Sequence, residues 1–242
     1  MSSGSVGLQI GFVVLAMALA VGFVAAVRFA GIRLRLDSIR IRASTARAAI
    51  GAGAWLLLTG LAAKAGMLRF SPFPPTMLGL LVATVALVVV IGRSEVGRRL
   101  ATGLPLSILV GYQAFRVVVE LLLHRAYVEG LMPIQMSYAG YNFDIVTGIL
   151  AAALGVMLAR GRVPTWVVGA WNVVGLLLLL NVLTIALLSA PTPLRRFHNE
   201  PANVWITAAP WVWLPAVMVL AALLGHLLVF RRMAVERGHQ PA

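Results

Sequence analysis

The sequence contains no cysteine, and charged residues are scarce for a chain of 242 residues. The missing cysteines exclude disulfide bonds, thiolate metal sites and cysteine nucleophiles. Only 11% of the residues are charged, whereas soluble domains carry about a quarter, and 61% are hydrophobic. Together with a mean hydropathy of +0.95, this composition predicts a membrane protein.

Long apolar runs fill most of the chain. Seven of them are close to the ~20 residues that a helix needs to cross ~30 Å of hydrocarbon. Their continuous apolarity excludes the alternating pattern of a membrane barrel, the other structure that satisfies backbone groups in lipid. We therefore predict one all-α, polytopic domain (1–242), a bundle of seven transmembrane helices near residues 6–29, 47–67, 73–92, 104–125, 143–160, 165–189 and 206–230.

The net charge of +13 follows the ends of these runs. Fourteen Lys and Arg lie in the first-to-second, third-to-fourth and fifth-to-sixth connections and the C-terminal tail, against five in the remaining connections. The positive-inside rule then predicts an N-terminus outside and a C-terminus in the cytoplasm. Because no nucleic-acid-binding motif accompanies the charge, the expected partners are membrane lipids and not nucleic acid.

Two features near the ends of the runs give further expectations. The basic connection LRLDSIRIRAS (34–44) either lies along the membrane surface or forms a solvated loop. Trp205, Trp211 and Trp213 open the seventh run, where amphipathic rings suit the headgroup layer.

Three ionisable residues interrupt the fourth run in the stretch FRVVVELLLHRAYVEG (115–130). Residues four apart are neighbours on a helix, so Arg116, Glu120 and His124 share one face. An unpaired charge in hydrocarbon costs on the order of a few kcal/mol, so this face is expected to point into the bundle or a water-filled cavity. Alternatively, Arg116 and Glu120 neutralise each other as a structural pair, and His124 snorkels to the interface.

More polar residues follow on the predicted outer side. The connection after the fourth run is too short and too apolar to fold as a separate domain, so we expect it to lie against the mouth of the bundle. Asp144 either joins the polar face or serves only as the N-cap of the fifth helix. The sequence thus predicts an outward-facing pocket with the candidate ligand-binding residues Arg116, Glu120, His124, Tyr138, Tyr141, Asn142 and Asp144.

Two classes of function suit such a pocket. In the first, a non-enzymatic protein binds or transports a small or lipid-derived ligand whose anionic group meets Arg116. Proton-coupled transport through Glu120 and His124 is a variant of it. In the second, a membrane-embedded, metal-assisted hydrolase holds Zn²⁺. The E-x-x-x-H spacing is common by chance, so we expect no cofactor; if zinc binds, its candidate ligands are Glu120, His124, Asp144 and His198.

The remaining polar residues within the runs are expected to be structural. Asn172 and Asn181 suit hydrogen bonds across helices. His226, placed near the inner end of the seventh run, has no obvious carboxylate partner and is expected at the interface or bonded to a neighbouring helix.

Three stretches together carry a resemblance: FRVVVELLLHRAYVEGLMP, YNFDIVTG and HNEPANVWITAAPWVWLP. Their pattern and spacing, over about residues 112–232, resemble a group of bacterial multi-pass membrane proteins of unassigned function. The resemblance implies a location in the bacterial inner (plasma) membrane and no particular reaction.

Overall fold

The computed structural model describes residues 4–161 and 163–237, so that Arg162, one of the basic residues used to predict orientation, lies outside it. The described residues form helices and connecting turns without any β-strand. Within them, six helical segments are long and apolar enough to cross a membrane, and Asp144–Ala159 is a shorter apolar helix of 16 residues. The predicted all-α membrane architecture is confirmed to this extent.

The helix bounds agree best with the predicted spans in the middle of the chain. One 23-residue segment, Leu106–Val128, consists of two helices joined by a 3₁₀ turn at Tyr112–Ala114. The last segment begins with a π turn at Leu214–Met218. The helices are α1 (Val6–Arg33), α2 (Ser38–Lys64), α3 (Thr76–Arg93), α4 (Glu95–Gly103), α5 (Leu106–Gly111), α6 (Phe115–Val128), α7 (Asp144–Ala159), α8 (Thr165–Ser189) and α9 (Val219–Arg237).

The basic segment 34–44 is mostly helical, which neither expectation for it anticipated. Asp37 caps α2, its carboxylate accepting the Arg40 N–H at 2.8 Å, and residues 38–44 form the first turns of the helix. An N-cap carboxylate satisfies a free N–H group at the helix start. The helix therefore begins well before the apolar run does. Only the apolar part of a helix needs to lie in hydrocarbon, so its polar first turns can extend beyond it.

The last helical segment begins later than the seventh predicted run, at Leu214 instead of residue 206. Pro210 lacks an N–H group, so it would interrupt the hydrogen bonds of a helix that began at residue 206. The residues around it form turns instead. Trp205 and Trp211 are buried, and both pack edge-to-face on Phe12 at ring distances of 5.7 and 5.1 Å. These two indoles therefore belong to the apolar core, and the expectation of a headgroup position for them was wrong.

The last segment lies at the centre of the bundle. In its most apolar window 61% of the residues are buried, against 39% or less in the other five candidate spans. It packs on α3, α4, α5 and α8, and its π turn packs on α1 and α2. Two side chains beside α5 bond to its backbone: the Tyr112 hydroxyl donates to Ala221 O at 2.7 Å and the Gln113 amide to Ala222 O at 3.0 Å.

The short helix α7 lies very close to α5. A Cβ atom placed on Gly155 would lie 2.7 Å from the Gly111 Cα, so the two backbones are in direct contact. Small residues permit this approach, which replaces side-chain packing by backbone contact. The contact fixes α7, and with it Asp144, against the Leu106–Val128 segment.

We call the end of the bundle at Val6 the upper end and the end at Arg33 the lower end. The upper end is tied by Ser5, whose N–H and hydroxyl both donate to the Glu129 carboxylate at 2.6 Å. These bonds hold the pKa of Glu129 below its usual range. One apolar cluster fills the upper half and another the lower half, and the buried polar residues described next lie between them.

Candidate functional site

A buried ion pair joins α6 to α7. The Arg116 Nε donates to Asp144 Oδ2 at 2.7 Å, and its Nη2 contacts the other carboxylate oxygen. Both residues are less than 5% exposed. Arg116 is therefore neutralised by Asp144, 28 positions along the chain, and not by Glu120 one helical turn away.

The ion pair extends to α8 and α9 through a histidine. The Arg116 Nη1 lies 2.8 Å from His226 Nε2, and His226 Nδ1 lies 2.8 Å from Asn172 Oδ1. Because a guanidinium group only donates, Nε2 accepts and Nδ1 carries the proton. Asn172 also donates to His226 O, so the prediction that Asn172 forms hydrogen bonds across helices is confirmed. His226 thus lies beside Arg116 and not near the inner end, and the expectation that it bonds to a neighbouring helix is confirmed by its contact with Asn172 on α8.

Gly175 on α8 makes room for this arrangement. A Cβ there would lie 2.8 Å from the His226 Cε1, and the Gly175 carbonyl accepts from Arg116 at 3.2 Å. The absence of a side chain therefore lets α8 approach the ring and offer its backbone oxygen to the guanidinium.

Glu120 is bound by an amide, and within residues 4–161 and 163–237 no cation pairs with it. The Asn142 Nδ2 lies 2.9 and 2.8 Å from the two Glu120 oxygens, and Glu120 is 1% exposed. Asn142 Oδ1 accepts the Asp144 N–H at 3.1 Å, so Asn142, and not Asp144, satisfies a free donor at the start of α7. The N-cap reading of Asp144 was wrong because its carboxylate faces Arg116.

The predicted site residues thus divide into two groups. Arg116, Glu120, Asn142 and Asp144 form one buried network with His226 and Asn172. His124 is half-buried and stacks on Tyr138 at a ring distance of 4.4 Å, nearer the upper end. Tyr141 and His198 are exposed, and the Tyr141 carbonyl accepts from Asn181, so that this asparagine bonds to a connection and not to a second helix.

The four candidate zinc ligands do not come together. Glu120 faces Asn142, Asp144 faces Arg116, and His198 lies on the surface. The described part of the chain contains no group of three His, Cys, Asp or Glu side chains that could hold a metal ion. Zinc binding stays a prediction without geometric support.

A cavity of about 510 Å³ lies against this network. Its walls are apolar residues of α3 and α8, and its floor comes from α6 and the start of the last segment. Val82 and Val85 line it and are exposed on the flank of the bundle, so the cavity is a cleft that opens sideways between α3 and α8. Its polar lining residues are Thr84, Arg116, Glu120, Asp144 and Asn203.

Asn203 is a site residue that the sequence did not single out. It is 1% exposed and lines the cleft, and its amide donates to Ala186 O at 3.0 Å. Its Oδ1 is buried and has no hydrogen-bond partner among the residues that the structure describes. Since buried polar atoms are normally satisfied, this oxygen is available to a ligand. The asparagine lies in the connection between α8 and the last helical segment, and its burial could not be read from local sequence.

The chain belongs to the family described as a domain of unknown function, DUF8737, whose model matches residues 73–234, well over half of the sequence. The matched region contains the whole buried network and nearly all of the cleft lining, whereas α1 and α2 precede it. No curated protein and no solved structure matches the chain.

Proposed function

We propose that this DUF8737 protein is a seven-pass integral membrane protein that binds or transports a lipid-derived ligand in the cleft between α3 and α8. In this proposal it resides in the bacterial inner membrane, and its upper end faces outward. The ligand enters sideways from the lipid, its apolar chain lies between α3 and α8, and its polar group reaches the buried network.

The lateral cleft is the observation that carries the proposal. Its walls are almost entirely apolar, yet its floor contains Arg116, Glu120 and Asp144. A concave apolar site with a few convergent polar groups is the usual form of a small-molecule pocket. Ionisable residues at membrane depth are costly unless they are paired or at work, and here they border the cavity. A lipid has the same division into an apolar chain and a polar group.

The proposed seventh pass is α7. At about 1.5 Å per residue its 16 residues span roughly 24 Å, somewhat less than the hydrocarbon layer. A short span is accommodated by local thinning of the bilayer. The position of α7 between α6 and α8, with backbone contact to α5, supports a transmembrane helix.

The orientation can be tested by cysteine labelling, because the natural chain has no cysteine to interfere. Ser71 and Ser38 are both exposed, the first in the connection before α3 and the second at the start of α2. In intact spheroplasts, a membrane-impermeant maleimide is expected to label Ser71→Cys, and to label Ser38→Cys only after permeabilisation. The reverse pattern would show the opposite orientation.

The cleft can be tested by filling it. Leu183 lines the cleft, whereas Leu180 lies on the exposed side of the same helix. Leu183→Trp is expected to remove most of the lipid that co-purifies with the protein in mild detergent, measured by mass spectrometry of the extract. Leu180→Trp, which adds the same volume outside the cleft, is expected to retain it. Equal lipid content in both variants would overturn cleft binding.

A further inference from the structure

Apart from one N–H each of Arg116 and Asn203, the hydrogen-bonding groups left free in the cleft are acceptors. Its lining residues Arg116, Glu120 and Asp144 carry a net negative formal charge. From these two features we propose that the ligand is a cationic amphiphile, an alkyl chain with an ammonium group, and that Glu120 is its counter-ion. This inference rests on the proposed function, because it names the class of ligand that the cleft binds.

Most donors that line the cleft are already engaged, and only one N–H each of Arg116 and Asn203 has no bond among the described residues. Arg116 makes four hydrogen bonds, two to Asp144 and one each to His226 and the Gly175 carbonyl. The Asn203 amide is bonded to Ala186 O, and the Thr84 hydroxyl donates to Leu80 O at 2.9 Å. A ligand that needs donors from the protein, such as a carboxylate or phosphate, therefore finds few of them.

The acceptors are less well satisfied. Asn203 Oδ1 is buried, and no described residue donates a hydrogen bond to it. The two Glu120 oxygens share the amide nitrogen of Asn142 and have no other hydrogen bond among the described residues. A carboxylate group offers about four acceptor positions, and an ammonium group has three donors and no acceptor. The two groups are complementary.

The charges lead to the same ligand. Arg116 and Asp144 cancel, and His226 is the neutral acceptor of an Arg116 N–H bond, so an ionised Glu120 has no cationic partner in the part of the chain that the structure describes. In a low-dielectric site an uncompensated charge is costly, and a ligand cation would supply the missing positive charge. This reverses the sequence-based expectation that Arg116 binds an anionic group of the ligand, because the guanidinium is already paired with the Asp144 carboxylate.

The experiment uses three ligands with the same chain: dodecylammonium, 1-dodecanol and dodecanoate. Their binding to the full-length protein in nanodiscs of zwitterionic lipid is measured by native mass spectrometry near neutral pH, where the amine is charged. Dodecylammonium is expected to bind at least about tenfold more tightly than the other two, since hydrogen bonds between charged groups are the strong ones.

Glu120→Gln is the discriminating variant, because glutamine keeps the size of the side chain and removes its charge. It is expected to weaken dodecylammonium binding by about tenfold or more and to leave 1-dodecanol binding unchanged. The control is Glu200→Gln, which removes a carboxylate from an exposed position and should change none of the three affinities.

The outcomes separate the two proposals. Equal binding of all three ligands to the natural protein, or tightest binding of dodecanoate, would overturn the cationic ligand while leaving cleft binding intact. The comparison within the natural protein decides this point even if Glu120→Gln fails to fold. Binding that Leu183→Trp does not reduce for any ligand would overturn the proposed function itself.

Discussion

Replacing Asp144 with alanine is expected to destabilise the protein by roughly 3–5 kcal/mol, because it leaves the Arg116 guanidinium buried without a counter-ion. Asp144 accepts both the Nε and Nη2 bonds of Arg116 and is 4% exposed. The substitution would also remove one link between α6 and α7, although the backbone contact of α7 with α5 remains. Unfolding of the detergent-solubilised protein, followed by circular dichroism, measures the change.

Two further variants show whether the effect comes from the unpaired charge. Glu236→Ala removes the carboxylate of a half-buried surface pair with Arg232 and is expected to cost about 1 kcal/mol or less. The double variant Arg116→Met with Asp144→Leu is expected to recover much of the lost stability, since apolar residues can replace a buried pair. If Asp144→Ala cost no more than Glu236→Ala, the buried pair would not be a stabilising element.

Replacing Trp205 with alanine is expected to cost about 3 kcal/mol, near the lower end of the range for buried tryptophan. The indole is 1% exposed and packs against Phe12 and Trp211, with ring distances of 5.7 and 5.4 Å. Its removal leaves a cavity and abolishes many dispersion contacts. The lower end of the range applies because an unfolded side chain in a membrane can enter lipid instead of water.

Trp166→Ala is the matched control for this experiment. Trp166 is 73% exposed at the start of α8, where an indole suits the interface and makes few packing contacts. Its loss is expected to change the unfolding free energy by about 0.5 kcal/mol or less. Equal effects of the two substitutions would mean that Trp205 lies at the membrane surface, as its sequence position alone suggested.

The helical segments were largely predictable because hydropathy is a local property. The predicted runs 143–160 and 165–189 differ by at most one residue from α7 and α8. The predictions failed where another local signal competed with apolarity: Asp37 starts α2 before its apolar run, and Pro210 delays the last segment. The seven passes and the orientation stay predictions.

The candidate site was predictable only in part. Spacing alone placed Arg116 and Glu120 on one buried face, because four residues nearly complete a helical turn. Spacing could not identify their partners, since Asp144 is 28 positions from Arg116 and His226 is 110 positions away. The same limit applies to Asn203, whose connection gives no sign of being buried.

Composition and periodicity thus determined that this chain is helical, that it is apolar enough for a membrane, and that a polar face runs along its fourth apolar run. These properties depend on residues close together in sequence. Tertiary structure alone decided that Arg116 pairs with Asp144, that Glu120 is bonded to Asn142 and to no cation of the described residues, and that a cleft opens beside them. Those facts arise where four helices meet, and only packing brings such distant residues within hydrogen-bonding distance.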